Sequence, residues 1–290
     1  PEQGYRCVRS LSPPELQSVA FSRVYQGRGG GQTSLSGPNM GLVLQPLLPE
    51  IQVFASHSML AVAAIEFQWR SIVLTRQMIM SGQYLDSFDT LPDSLRWDQA
   101  RIFESMTQTL SWRPADGEVW IFGYGSLMWN PMLDFDQRVV ASLEGWQRSF
   151  CIRMIASRGS PQTPGRMLAL EPGGVTHGVA YRLNPLTADE ELRVLWTREM
   201  PTGAYRPIWA YLTLEDGREI TAIVFVADPK CALYECESSI SAVAPMVAAA
   251  QGPFGSNCDY VLKLEAALTL ADLHDPYVAE LADVLRVHRV

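Results

Sequence analysis

The sequence has little positive charge. Its 290 residues include 23 lysines and arginines against 31 aspartates and glutamates, which gives a net charge of −8. Proteins that bind nucleic acids need a basic surface to neutralise phosphates, so a sequence-wide footprint of that kind is missing, and we expect no nucleic-acid partner. If the substrate is anionic, the positive charge that binds it must come from individual basic residues at the site. Hydrophobic residues make up 47% and charged residues 19%, which is typical of a globular protein.

Cysteines are few and show no Cys-x-x-Cys spacing. Their odd number does not indicate a disulfide framework. We recognise no secretory signal peptide, so we expect the reducing cytoplasm as the location. The five positions are Cys7, Cys151, Cys231, Cys236 and Cys258.

Long uninterrupted apolar runs are also missing. The longest apolar stretch, at residues 59–74, contains Glu66 and Arg70. Two charges inside such a stretch argue against a membrane-spanning helix. We therefore expect no association with a membrane.

Common signatures of metal, serine and phosphate sites are absent. Ser126 lies in neither a Gly-x-Ser-x-Gly elbow nor a Walker loop, because the second glycine and the lysine are missing. A nucleophilic serine would also need a base, and no histidine is an obvious one. The histidines lack the spacing of metal ligands; they are His57, His177, His274 and His288. We expect His177 to be an ordinary strand residue.

Residues 1–75 differ from the rest of the chain. They contain the run GRGGG at residues 27–31 and scattered prolines, without a sustained helical or strand period. We interpret them as a poorly structured extension of unknown role and expect activity to survive deletion of residues 1–76; a partner-binding arm is the alternative. The folded domain is expected over residues 90–288, beginning with a helix start near Thr90 and Pro92.

Strand and hairpin signals dominate the middle of the chain. Two apolar runs flank Gly173-Gly174, and two more flank residues 215–217, which end in glycine; both patterns predict hairpins. Strands joined by hairpins with helices outside indicate the α+β class. We expect a small closed or nearly closed, mostly antiparallel β-barrel, because closure hides the sheet edges. The predicted helices cover residues 187–199, 239–250, 259–271 and 276–288.

Residues 120–130, WIFGYGSLMWN, are predicted to form a strand followed by a polar loop. Trp120 to Phe122 form a short apolar run typical of a buried strand. Gly123 and Gly125 then allow positive φ and close approach to a ligand. Ser126 follows with a hydroxyl and an amide hydrogen. Loops of this kind bind anionic groups through backbone N–H donors.

Glu199 is the strongest catalytic candidate. The sequence from Thr187 to Glu190 fits a capping box that starts a helix, and Leu192, Leu195 and Trp196 form its apolar stripe. Glu199 is next on that stripe and lies at the negative end of the helix dipole. Burial and the dipole both favour a protonated carboxyl, which suits general acid–base catalysis.

A structural interpretation of Glu199 stays open at this point. Arg198 is adjacent, and Arg193 and Arg206 are near in sequence. A glutamate at a helix end can simply pair with one of them.

Two other features have equally divided interpretations. The loop bounded by Arg158 and Arg166 is either a solvated turn or a source of local positive charge for an anion. Tyr260, just after a Gly/Pro loop, is either a core residue or part of a site.

Several separated motifs, in the same order, resemble the ChaC family of glutathione-specific γ-glutamylcyclotransferases, close to its bacterial members. The resemblance covers about residues 95–275, and residues 1–75 match nothing in the family. The motifs are Gly123-Tyr-Gly-Ser-Leu127, Pro164-Gly-Arg166, Gly178-Val-Ala-Tyr181, Arg198-Glu199 with Gly203 and Tyr205, and Gly252-Pro253 with Asn257 and Tyr260.

The resemblance implies a lyase that converts glutathione into 5-oxoproline and Cys-Gly without a metal or an organic cofactor. The substrate's own α-amine attacks its side-chain carbonyl, so no protein nucleophile is needed. The family's catalytic glutamate corresponds to Glu199, and its tyrosine near the C-terminal helix to Tyr260. Its substrate-binding loop corresponds to Gly123, Tyr124, Gly125, Ser126, Leu127 and Met128. Arg166, or Arg158, is expected to supply positive charge for the anionic tripeptide.

Two rival functions are kept. One is a cyclotransferase for other γ-glutamyl amines or dipeptides, which motif spacing separates poorly from the first. The other is a non-catalytic module that binds γ-glutamyl ligands. The oligomeric state is not predicted.

Overall fold

The computed structural model describes residues 73–114 and 117–287. Its centre is a closed five-stranded barrel, in which neighbouring strands follow the order β1, β3, β2, β4, β5. All pairings are antiparallel except that of β1 with β5, which is parallel and closes the barrel. The predicted α+β class and mostly antiparallel barrel are confirmed. The strands are β1 (Trp120–Gly123), β2 (Phe135–Met154), β3 (Gly165–Leu183), β4 (Tyr205–Leu214) and β5 (Glu219–Ala227).

Seven α-helices among the described residues surround this barrel. A minor ribbon, β6 (Gln251–Gly252) with β7 (Gly255–Ser256), lies between the fifth and sixth helices. No described helix has both the length and the apolar character required to span a lipid bilayer. The helices are α1 (Arg76–Met80), α2 (Gln83–Asp86), α3 (Gln99–Leu110), α4 (Ala188–Glu199), α5 (Ile240–Ala249), α6 (Asn257–Leu270) and α7 (Pro276–Val287).

Strand β1 is apolar throughout because both of its faces are covered. Trp120 and Phe122 belong to the core shared with α6 and α7. Ile121, on the opposite face, belongs to the core shared with α3 and α4, together with Leu195 and Trp196. The strand thus places the loop that follows it between two packed helical layers.

The hairpin predicted at Gly173-Gly174 is wrong. Both glycines lie inside the 19-residue strand β3, which pairs with the 20-residue strand β2 along most of its length. They have φ values of +131° and +59°, opposite Gly145 at +78°, where the register shifts. Glycine with positive φ also serves β-bulges, so the pair marks a bend in a long ribbon. The hairpin predicted around residues 215–217 is confirmed, since β4 pairs antiparallel with β5.

The four predicted helices are present, but the predicted capping box of α4 is wrong. The Thr187 side chain makes no capping hydrogen bond to the helix. Its hydroxyl donates instead to Asp134 Oδ2, at 2.9 Å. The start of α4 is fixed by the backbone, because the amides of Glu190 and Glu191 donate to the Thr187 carbonyl.

The first helices differ from the expected helix start near Thr90. Residues Asp93–Leu95 form one 3₁₀ turn, and the long helix α3 begins later, with Asp98 as its N-cap. Two short helices, α1 and α2, precede Thr90 and bury Ile79 and Tyr84. The extension predicted over residues 1–75 lies almost entirely outside the described residues.

Candidate active site

A cavity of about 390 Å³ opens where the loop after β1 meets the end of α4. The loop contributes Tyr124, Gly125, Ser126 and Leu127 to its lining, and α4 contributes Glu199. The end of β1 and the end of α4 therefore bring a polar loop and a mostly buried acid to one place. Cavities of this size accommodate small-molecule ligands.

Glu199 is the last residue of α4 and faces this cavity. Its side chain is 16% exposed. Burial raises the pKa of this carboxyl, and the positive charge of Arg198 opposes part of that rise. A carboxyl with a raised pKa next to an open cavity can accept and return a proton near neutral pH.

Arg198 connects this acid to the loop. Its Nε lies 3.2 Å from Glu199 Oε1, and its Nη2 donates to Ser126 Oγ at 2.7 Å. Its Nη1 donates to the carbonyls of Asn130, at 2.6 Å, and Pro131, at 3.2 Å. One planar guanidinium thus fixes the end of α4 against both ends of the polar loop.

Two further side chains donate hydrogen bonds to the backbone of the polar loop. The buried Arg148 donates from Nε to the Tyr124 carbonyl at 2.9 Å, and Tyr181 Oη donates to the Leu127 carbonyl at 2.9 Å. A Cβ on Gly125 would lie 2.9 Å from Tyr260 Oη. Close approach to Tyr260, rather than a positive φ, is therefore what requires glycine at this position.

Four tyrosines surround Glu199, and the Glu199 charge contributes to the pKa of each. Burial raises the pKa of Tyr84, Tyr124, Tyr205 and Tyr260, so all four are neutral donors. Three of them donate to backbone carbonyls: Tyr84 to Arg198, Tyr124 to Phe225, and Tyr205 to Leu168.

Tyr260 is different from the other three tyrosines. Its hydroxyl faces the backbone of Ser126, and we find no acceptor for its proton among the described residues. This proton is therefore available to a ligand in the cavity.

The two arginines that bound the β2–β3 loop have different surroundings. Arg158 lines the cavity, and its side chain donates to the Ser256 carbonyl at 3.1 Å. Burial lowers its pKa, and the nearby Tyr260 and Asp259 oppose part of that fall. Arg166 is not part of the lining; it is buried and pairs with Glu235. Of these two arginines, it is Arg158 that brings positive charge to the cavity.

Comparison with known proteins gives the family. The sequence model described as ChaC-like protein matches residues 119–288, which is more than half of the chain. This chain belongs to the ChaC-like protein family. The glutathione-specific γ-glutamylcyclotransferase of Escherichia coli K12 is 46% identical over 203 residues, which are 70% of this chain and 88% of that protein.

More distant ChaC-like relatives agree. The glutathione-specific γ-glutamylcyclotransferase 1 of Homo sapiens is 29% identical over 191 residues, covering 63% of this chain and 86% of that protein. A crystal structure of a γ-glutamyl cyclotransferase specific to glutathione from yeast superposes with a TM-score of 0.54 at 24% identity, covering 58% of this chain and 96% of that chain. At that identity the likeness supports the fold alone.

Most of the ChaC-like site residues predicted from the sequence meet in the cavity. Tyr124, Gly125, Ser126, Leu127, Glu199 and Tyr260 all line it. Gly123 and Met128 lie beneath the loop and outside the lining: a Cβ on Gly123 would meet Leu127 Cβ at 3.0 Å, and Met128 is buried. Arg166 also lies outside it, for the reason given above.

The sequence provided no signal for one wall of the cavity. This wall precedes the ChaC-like match and comes from residues 73–91. Its helices are too short to produce a helical period, so only the packed structure reveals it. The lining residues in this range are Val73, Leu74, Tyr84, Phe88 and Leu91.

Proposed function

We propose that this chain is a glutathione-specific γ-glutamylcyclotransferase, a lyase that degrades glutathione to 5-oxoproline and Cys-Gly. The proposal rests above all on one observation: Glu199, a carboxyl whose pKa is raised by burial, faces the cavity lined by Tyr124–Leu127. The names of the ChaC-like relatives support the same reaction.

The chemistry needs one proton-transfer group. The substrate's α-ammonium gives a proton to Glu199, and the free amine attacks the γ-carbonyl carbon to form the new C–N bond of the ring. The C–N bond to cysteine then breaks as Glu199 returns this proton to the leaving nitrogen. The ring nitrogen gives its second proton to the regenerated Glu199 carboxylate, which passes it to the amine of Cys-Gly. Atoms balance without water, because both nitrogens come from the substrate. Such proton transfer contributes roughly 10²–10⁴-fold to the rate.

Most of the remaining acceleration comes from holding amine and carbonyl in attack geometry. We assign the substrate's α-carboxylate, or the oxyanion that forms during attack, to the backbone and hydroxyl donors around Gly125 and Ser126. The Tyr260 hydroxyl, whose hydrogen has no acceptor among the described residues, is a second donor there. Ser126 acts as a hydrogen-bond partner and not as a nucleophile, since its Oγ is bound by Arg198.

We assign the glycyl carboxylate of glutathione to Arg158 instead of Arg166. Arg158 faces the cavity, whereas Arg166 lies outside its lining and pairs with Glu235. A guanidinium in a partly buried site binds a carboxylate through charge-assisted hydrogen bonds.

The cytoplasm stays a proposal from the sequence alone, because Cys236 is disulfide-bonded in the structure and disulfides are rare in a reducing compartment. The domain expected over residues 90–288 stays a proposal with one change. Its start is moved to residue 73, because α1 and α2 pack onto it.

Incubation with glutathione tests the function directly. Mass spectrometry should detect 5-oxoproline and Cys-Gly in equal amounts. Competition with other γ-glutamyl dipeptides separates the first rival, a broader cyclotransferase, which would consume them equally fast. Glutathione binding in calorimetry without either product would instead identify the second rival, a non-catalytic binding module.

A further inference from the structure

Helix α4 is held at its first turn by a residue outside the ChaC-like match. Arg76 donates to both carboxylate oxygens of Glu191, at 2.6 and 2.8 Å, and to Glu190 at 2.8 Å. It also donates to the Met132 carbonyl at 3.1 Å. The Glu191 side chain is only 2% exposed, so Arg76 is the group that makes its buried charge tolerable.

The same upstream segment, residues 73–91, also reaches the last turn of α4. Tyr84 is 7% exposed, and its Oη donates to the Arg198 carbonyl at 3.2 Å. Its ring packs edge-to-face on Phe88, at 5.3 Å, and Phe254, at 5.8 Å. The last carbonyls of a helix have no partner within the helix, and this one belongs to the residue next to Glu199.

These two contacts constrain the element that carries the acid. A 12-residue helix is about 18 Å long, and its last turn tends to fray. Glu199 is in that last turn. Arg76 fixes the first turn of α4, and Tyr84 fixes the peptide that precedes Glu199.

We propose that the upstream segment is part of the active site, and that Tyr84 is a positioning residue that holds Glu199 in its productive orientation. This inference rests on the proposed function. It also extends the catalytic unit well before residue 119, where the ChaC-like match begins.

The first test replaces Tyr84 by phenylalanine, which keeps the ring and removes the hydrogen bond. We expect kcat with glutathione to fall about fivefold, the loss that corresponds to one hydrogen bond, while KM stays within about twofold. The control is Tyr277→Phe, because Tyr277 Oη also donates to a backbone carbonyl, that of Ser238, at 2.7 Å, and accepts from the Phe150 amide at 3.2 Å. Tyr277 does not line the cavity, so this variant should keep the wild-type kcat.

The second test examines the other end of α4 by rescue. Arg76→Gln leaves the Glu191 carboxylate buried without its partner, so kcat should fall together with the melting temperature. Adding Glu191→Gln removes the stranded charge and should restore much of both. Arg286→Gln is the control, since Arg286 likewise pairs with two carboxylates, Glu265 and Asp283, but on the surface.

The outcomes are distinguishable. If Tyr84→Phe and Arg76→Gln lower only the melting temperature and keep the wild-type kcat at a temperature where they are folded, the upstream segment is merely structural and the inference is wrong. A wild-type chain that does not turn over glutathione would instead overturn the proposed function, and this inference with it.

Discussion

Replacing Arg198 should separate two roles that its single guanidinium performs. Its positive charge lies 3.2 Å from Glu199 Oε1, and the two side chains are 6% and 16% exposed. Its fork also binds Ser126 and the carbonyls of Asn130 and Pro131. Arg198→Gln removes both the positive charge and the guanidinium hydrogen bonds, whereas Arg198→Lys keeps the charge and loses those hydrogen bonds.

The size of the electrostatic effect follows from this geometry. An opposite charge at this distance typically lowers a carboxyl pKa by about one to three units. Glu199 must be ionised to accept a proton from the substrate's ammonium, so kcat/KM should rise with pH through the Glu199 pKa. Without the Arg198 charge that pKa rises further, and the ascending limb should move to higher pH by about one to three units.

The assay is the pH dependence of kcat/KM for glutathione in the wild type and both variants. The substrate's own groups titrate identically in all three, so differences report on the enzyme. In Arg198→Lys, the ascending limb of the kcat/KM pH profile should stay near its wild-type position. Both variants should raise KM by about ten- to a hundredfold, because a charge-assisted hydrogen bond to the loop contributes roughly 1.5–3 kcal/mol. Identical limbs in the two variants would refute the electrostatic role.

Three further predictions concern stability and binding. Burial raises the folded-state pKa of Glu199, so the stability contributed by its protonated form is complete below the unfolded-state pKa and is lost as pH rises through the folded-state pKa. Urea titrations should therefore show that the stability of Glu199→Gln relative to the wild type increases as pH rises between these two pKa values. A stability difference that does not depend on pH would contradict this. Gly125→Ala places a methyl against the Tyr260 hydroxyl, so melting temperature and kcat/KM should both fall, and unchanged kinetics would exclude this contact from the site. Arg158→Gln should raise KM about tenfold or more with little loss of stability, whereas Arg166→Gln should mainly lower the melting temperature; the reverse pattern would return the carboxylate to Arg166.

The features that the sequence predicted correctly are those encoded in contiguous patterns. The apolar run before Gly123 identified β1, and the stripe that ends in Glu199 identified an acid on a buried helix face. Both depend on local periodicity, which the barrel preserves. The meeting of the loop with Glu199 in one cavity depended on the resemblance to the ChaC family.

The failures occur where residues distant in sequence decide the outcome. Two adjacent glycines signal a hairpin locally, but β2 pairs with β3 through the whole region, and Gly173 and Gly174 become a bulge. The predicted capping box does not form because the Thr187 hydroxyl donates its hydrogen bond to Asp134, 53 residues away.

The start of the domain was misjudged for a related reason. Helices α1 and α2 are too short to show a period, and they depend on contacts such as that of Arg76 with Glu191, 115 residues away. Deleting residues 1–76 would remove Arg76, so we now expect activity to survive a deletion that ends at residue 72 and to fall when Arg76 is lost.

The most direct measurement of the central claim is turnover of glutathione by Glu199→Gln, followed by mass spectrometry of Cys-Gly. The amide keeps the shape of the side chain and cannot relay the proton. We predict that 5-oxoproline and Cys-Gly formation falls by at least about a hundredfold, while the melting temperature is no lower than that of the wild type. Near-wild-type release of Cys-Gly by a folded Glu199→Gln chain would contradict the claim that this carboxyl moves the proton.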